Sequence, residues 1–443
     1  MPKPRAPLQN ILWLVGERAG RALVTATVLG VVARHLEPAG FGQLNFAVAV
    51  AAIAAALANL GLEGVVVDEL IRRPAQAGAV LGTALRLRLA AGLATAALLG
   101  GLAALATPAD APVVAIVALG LAFQPADVID LWFQRHLESR RTAVARLVGI
   151  CAGATLKLWL AAAGAPLAAF AWAQVADVAF IAAALAWAVR RSPHPTGPWT
   201  WDPGLARQLW RRGAPLAVAT LAVAFALRLD QLLVRGWLGE HDAGIYFAAV
   251  RLVDMILFAG AAMSLSLFPA LSASRAASPG EFAARLQAQF DALSALGWIA
   301  GLGCTLAGPL VIRLLYGPAY AGAADALAVL GWAALVALNA NVRWNFILLA
   351  APVTLNLAAA ALHAATLLAL AAALLPRLGL AGAAWSLLAA NLASGLATSF
   401  LFPPLRPCAA AQARGLLILF TPARWRGLLA QFQARPAAAP PPP

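Results

Sequence analysis

The chain has 443 residues, of which 62% are hydrophobic and only 11% charged, with a mean hydropathy of +0.81. So little charge cannot cover a soluble domain, where about a quarter of residues are charged. The formal net charge of +14 would point to nucleic acid in a soluble protein. Here the basic residues must first be sorted by position, because topology places Lys and Arg in cytoplasmic loops.

Unbroken apolar runs of about 20 residues, rich in Ala and Leu, predict membrane-spanning helices. A β-barrel would show weaker alternating segments of about 10 residues. Twelve spans are expected, in chain order: 8–33, 41–67, 83–105, 113–133, 143–163 and 167–189, then 214–238, 243–271, 290–315, 323–350, 353–375 and 380–401. The fold class is therefore all-α, a polytopic bundle. The first apolar run is too long for a signal-peptide core, so no cleavable signal is expected. The domain organisation expected is an N-terminal six-helix lobe, 1–189; a polar, Pro-rich cytoplasmic linker, 190–212; a C-terminal lobe, 213–405; and a cytoplasmic tail, 406–443, partly disordered at its Ala/Pro-rich end. Trp199, Trp201 and Trp210 suit the membrane interface.

Alternate loops differ sharply in basic residues. One set holds Arg72, Arg73, Arg86 and Arg88, then Arg135, Arg140, Arg141 and Arg146, then the linker arginines, then Arg275, Arg285 and the tail arginines. The other set, at 107–112, 164–166 and 376–379, holds only Arg377. The positive-inside rule then places both termini in the cytoplasm, which requires an even number of spans, and twelve satisfies it. Most of the +14 is a topology signal.

The halves resemble each other. Arg34 is followed by a short turn and Gly42-Gln43-Leu44-Asn45-Phe46-Ala47; Arg235 is followed by a short turn and Gly244-Ile245-Tyr246-Phe247-Ala248-Ala249. Six spans separate the copies, so both keep one orientation, as in a parallel repeat about an axis along the membrane normal. Arg34 and Arg235 are placed to snorkel outward.

Charges within spans cost ~2.5–3.5 kcal/mol each on insertion scales and usually face a cavity or a partner. The first span carries Asn10, Glu17, Arg21 and Thr25 on one face, with Arg18 beside it. The seventh carries Arg228, Gln231 and Arg235, with Asp230 adjacent; the eighth carries Arg251 and Asp254. Lys157 lies in the fifth, Arg343 in the tenth among Asn339, Asn341 and Asn345, and His363 in the eleventh. Glu17 with Arg21, Asp230 with a neighbouring arginine, and Arg251 with Asp254 are each readable as structural ion pairs. As a set, recurring in both halves, they favour a net-cationic cavity between two lobes. Arg suits phosphate there because its planar fork donates two hydrogen bonds. Asp127 and Asp130 read as structural, and His363 as a packed histidine.

No phosphate-binding loop, zinc motif or Cys-His cluster occurs, so neither cofactor nor metal is expected. Cys151, Cys304 and Cys408 suit neither a metal site nor a disulfide framework.

Four ordered stretches carry a family resemblance. They are Val32-Ala33-Arg34-His35-Leu36-Glu37-Pro38-Ala39-Gly40-Phe41-Gly42; Asp130-Leu131-Trp132-Phe133-Gln134 with Glu138; Arg228-Leu229-Asp230-Gln231 through Ala243 to Leu252; and Leu314-Leu315-Tyr316-Gly317-Pro318-Ala319-Tyr320. The first resembles an "aRyLGPexfG" turn and the last an "llyGxxY" turn of the bacterial polysaccharide-transport flippases. These are O-antigen and exopolysaccharide exporters of the multidrug/oligosaccharidyl-lipid/polysaccharide exporter superfamily. The chain departs at Glu37, where Gly is usual.

The resemblance implies two six-helix lobes alternating between inward and outward access around a central cavity. It implies that the protein flips a polyprenyl-diphosphate-linked oligosaccharide across a bacterial inner membrane. Arg18, Arg21, Lys157, Arg228, Arg251 and Arg343 would bind the anionic headgroup. Glu17, Asp230 and Asp254 would orient them or couple an ion. Expected partners are the lipid-linked oligosaccharide, membrane lipids, and polymerase or glycosyltransferases of the same pathway, with no nucleic acid. A cation-coupled multidrug exporter of the same superfamily should show an acidic cavity. A polyprenyl-sugar glycosyltransferase or ligase needs a larger outer loop. The surplus of Arg and the short outer loops argue against both.

Overall fold

The computed structural model describes residues 7–421 and Arg424, apart from Leu137, Pro195 and Val353; side chains are described from Thr25 onward, Ser139 excepted. It is 91% helical, with no strand among the described residues. A bilayer imposes this, since a helix satisfies every backbone polar group within one segment. The helices are α1 (Pro7–Ala58), α2 (Leu62–Arg72), α3 (Ala77–Ala106), α4 (Ala111–Ala118), α5 (Val128–Arg135), α6 (Ser139–Ala162) and α7 (Leu167–Arg190). They continue with α8 (Pro203–Ala277), α9 (Pro279–Leu315), α10 (Ala323–Ala350), α11 (Thr354–Asn391), α12 (Thr398–Leu401) and α13 (Arg406–Leu416).

Nine helices among the described residues are long and apolar enough to cross a membrane, where twelve spans are expected from sequence. The difference has a local cause. At 1.5 Å per residue the 52 residues of α1 extend about 78 Å and the 75 of α8 more than 100 Å, against a hydrocarbon thickness of about 30 Å. Each contains one residue outside helical geometry, Glu37 (φ 56°, ψ 172°) in α1 and Gly239 (φ 88°, ψ −172°) in α8. Gly379 (φ 55°, ψ −132°) breaks α11 likewise. The outer turns foreseen there are single-residue breaks in otherwise continuous helices.

Gly317, before the next 3-10 turn, shares the geometry of Gly239 at φ 90°, ψ 179°. This region is essentially reserved for glycine. Glu37 therefore carries strain that glycine would not. Glu37→Gly is expected to raise unfolding free energy by ~1 kcal/mol, the relief of ~1–3 kcal/mol being offset in part by glycine's entropy. Thermal unfolding in detergent measures it, and an unchanged or lower melting temperature would remove the strain argument.

The expected span 113–133 is not one α-helix. Between α4 and α5 run two 3-10 turns, Leu119–Ala122 and Gln124–Asp127, because Pro125 supplies no N–H to an α-helical ladder. The span expected from Phe290 begins instead at Pro279, where the Ser278 side chain accepts the Glu281 N–H at 3.1 Å. Hydropathy does not register that amphipathic extension.

By contact the chain divides into two units, 28–247 and 1–27 with 248–443. The core of the first includes Leu62, Leu70, Leu81, Phe133, Leu185, Leu205 and Leu209. Leu205 and Leu209 belong to the segment expected to link two lobes, so that segment is built into this core. Asp202 opens its helix by accepting the Leu205 N–H at 3.1 Å, and its own N–H donates to Thr83 Oγ1 at 3.1 Å. The buried Glu69 carboxylate accepts from Gln208 at 2.8 Å and Arg212 at 2.6 Å. Trp199 packs against the core, while Trp201 and Trp210 are exposed.

The other unit is centred on Leu271, Leu286, Phe290, Leu293, Leu338 and Phe346, with Leu405 and Cys408. Part of the expected tail is ordered here: α13 docks along α9, where Gln287 donates to the Ala411 carbonyl at 3.1 Å and Trp298 to the Leu416 carbonyl at 2.9 Å. The Ala/Pro-rich end lies outside the described residues.

Candidate functional site

The repeated turns meet within unit 28–247. A Cβ on Gly42 would stand 2.1 Å from the Glu240 carbonyl oxygen, and a Cβ on Gly244 would stand 1.8 Å from the Pro38 carbonyl oxygen. Positions 42 and 244 correspond in the two copies, as do 38 and 240, and 37 and 239. Each glycine thus receives the backbone that its counterpart's turn presents. Such reciprocity is what a two-fold relation between two like elements produces. Glycine is required at both positions because backbone approaches backbone.

Beside this contact Arg235 does not snorkel outward as expected. Its Nη2 lies 2.8 Å from Asp110 Oδ2 and 2.9 Å from Glu240 Oε1, and its guanidinium sits 5.7 Å from the centre of the Phe46 ring. Asp110, just before α4, has no exposed side-chain surface. Sequence reasoning missed it; the only signal was an acid in an otherwise apolar turn. Arg34 has contacts of its own.

Three further clusters belong to this unit. Lys157 of α6 donates to Asp177 of α7, and to Gln174 at 3.3 Å. A Cβ on Gly153 would collide with Asp177 Oδ1, so that glycine admits the pair. Asp230 accepts the Tyr246 hydroxyl at 2.9 Å, both residues being buried, and Arg228 is half-buried. Asp127 and Asp130, read from sequence as structural, share Arg146 at 2.9 and 3.3 Å. Asp127 and Arg146 border a cavity of about 290 Å³ with Asn59 and Gln124. Arg88, counted with the loop residues, is instead buried within α3 at 1% exposure, in the field of Glu63 and Asp127.

In the unit containing 248–443, Arg251 and Asp254 stand 3.8 Å apart on one helix face. The buried Tyr316 is within electrostatic range of Arg251, and its ring lies 5.5 Å from that of Tyr320. Arg343, expected to bind the headgroup, is bonded within its own unit. It is 5% exposed, and its guanidinium donates to oxygens at 394–398 of the same unit. His363 is buried, its Nδ1 3.3 Å from Ser394 Oγ. The expected site residues Glu17, Arg18 and Arg21 lie outside the described side chains. Among the described residues no cluster of three metal-ligating side chains occurs.

Long apolar helices, two of them broken at matching positions, define a polytopic all-α membrane protein. The chain belongs to the polysaccharide biosynthesis protein family, whose model matches residues 31–325. No match is found among curated protein sequences. Three solved structures share the fold at low identity. An inward-facing multidrug resistance MATE family transporter of the MOP superfamily is 13% identical with a TM-score of 0.71, covering 90% of this chain and 96% of that one. The lipid II flippase MurJ in an inward closed conformation is 12% identical with a TM-score of 0.65, covering 94% and 95%. A MOP superfamily transporter from Pyrococcus furiosus, described by a binding pocket of reverse polarity, is 12% identical with a TM-score of 0.62, covering 90% and 94%.

Proposed function

We propose that this protein flips a polyprenyl-diphosphate-linked oligosaccharide, an O-antigen or exopolysaccharide repeat unit, from the cytoplasmic to the outer leaflet of a bacterial inner membrane. The observation that carries this reading is membership of a polysaccharide biosynthesis family by a chain with a transporter fold. Transport proceeds by alternating access of twelve spans, three long helices each supplying two spans joined at Glu37, Gly239 and Gly379. Both termini are cytoplasmic, following the basic loops.

Arg228 and Arg251, with Arg18 and Arg21 of the first span, receive the diphosphate; Glu17, Asp230 and Asp254 orient them. Lys157 and Arg343 are left out of this set because each is tied to another helical segment, Lys157 to Asp177 and Arg343 to the oxygens at 394–398, whereas Asp254, the partner of Arg251, stands on the same helix. The membrane potential is worth ~2.3 kcal/mol per charge per 100 mV and can supply drive.

Likeness to the multidrug resistance transporter supports a second reading, export of organic cations. Proteoliposomes separate the two. A labelled polyprenyl-diphosphate oligosaccharide should cross faster than in protein-free vesicles, and ethidium should not. Arg251→Ala should slow flipping by about tenfold or more, through the loss of a charge-assisted hydrogen bond worth ~1.5–3 kcal/mol, with membrane insertion unchanged. Ethidium efflux without glycolipid flipping by the folded protein would replace the first reading with the second.

A further inference from the structure

After Asn391 the chain runs through one π-helical stretch, Leu392–Ala397, before α12. A π turn departs from the i→i−4 ladder, frees backbone carbonyls for other donors and often marks a functional site. Here those donors come from other helices. Arg343 of α10 donates through Nη1 to the Ser394 carbonyl, the Thr398 hydroxyl, and the Gly395 carbonyl at 3.3 Å. Gln412 of α13 donates to the Gly395 carbonyl at 2.9 Å, and its own side-chain oxygen accepts the Ser399 hydroxyl at 2.9 Å.

Arg343 is buried, and among the described residues no carboxylate pairs with it. Among the described residues its hydrogen bonds go to neutral oxygens. Burying a charge is costly unless polar groups surround it. Carbonyl and hydroxyl oxygens gathered at a break in a membrane helix are the groups with which transporters hold small cations.

We propose that the π turn at Leu392–Ala397 forms a cation site whose permanent occupant is the protein's own guanidinium, Arg343. The unit containing 248–443 then takes up and releases no coupling cation at this place during transport. The inference holds whichever glycan or drug is moved, because the site is closed by residues of one unit.

The test uses the full-length purified protein in detergent, with choline, sodium or millimolar guanidinium as the varied cation. Wild-type melting should not differ between sodium and choline at equal ionic strength. Arg343→Ala should melt lower, retain about tenfold more radiolabelled sodium than wild type, and recover melting temperature in guanidinium but not in choline. A folded Arg343→Ala protein that neither binds sodium nor responds to guanidinium would overturn the proposal. So would sodium-dependent stabilisation of the wild type that Thr398→Val abolishes. If Arg343→Ala does not fold, Arg343→Lys gives the reading: its tethered ammonium should keep melting indifferent to sodium, and a sodium response would count against the site.

Discussion

A valine at position 244 is expected to open the contact between the repeated turns and lower the melting temperature of the protein. Its Cβ would lie 1.8 Å from the Pro38 carbonyl oxygen and 2.6 Å from the carbonyl carbon. Both are backbone atoms that no rotamer change can move, so the turns must separate by more than an ångström. Overpacking of this kind costs ~1–3 kcal/mol or more even against side chains. Gly42→Val meets the Glu240 carbonyl in the same way, so two substitutions far apart in sequence should share one phenotype. Gly236→Ala is the control, because a Cβ there meets open space. Leu44, 2% exposed beside the contact, supplies the reporter. Leu44→Cys in a Cys151→Ser background should react slowly with maleimide, and faster by an order of magnitude or more once Gly244→Val removes ~1.4 kcal/mol of closure. Equal labelling and equal melting in both proteins would show that the close approach does not hold the turns together.

That contact was partly legible in the sequence. The glycines open two copies of one pattern, and hydropathy fixed the turns before them to within a few residues. Their reciprocity was not legible, since a repeat does not say that its copies touch. Hydropathy placed a turn of several residues between the paired spans, without signalling that one residue suffices to separate them. The Pro-rich polar surroundings of 190–212 hid the i, i+4 pair Leu205 and Leu209, which is the part that packs.

Among ionisable groups, position along a span was readable and partnership was not. Lys157 and Asp177 meet across a helix hairpin, and Arg235 and Asp110 are 125 positions apart. Arg88 passed for a loop residue because it stands with Arg86 at the start of the expected span 83–105. Arg343 was assigned to the cavity because no periodicity announces the π turn that receives it.

Neutralising Asp110 should have the largest effect of any single charge change in unit 28–247. Asp110 has no exposed surface, while Glu240, the other partner of Arg235, is 33% exposed. Breaking a buried pair by removing one partner costs ~3–5 kcal/mol, whereas exposed pairs contribute ~1 kcal/mol or less. Asp110→Asn should therefore lower the melting temperature well beyond Glu240→Gln. Arg235→Gln combined with Asp110→Asn should cost less than the two single changes summed, because neither charge is then left buried alone. Purely additive losses would mean the two side chains act separately. The bond joins the connection before α4 to the α8 segment that ends at the Gly239 break, so it bears on the same closure as the glycines. If access alternates as proposed and the two turns separate, this bond parts with them. Asp110→Asn should then speed labelling of Leu44→Cys, about 100-fold for a loss of ~3 kcal/mol. A stability loss with no change in labelling would confine Asp110 to a role in folding.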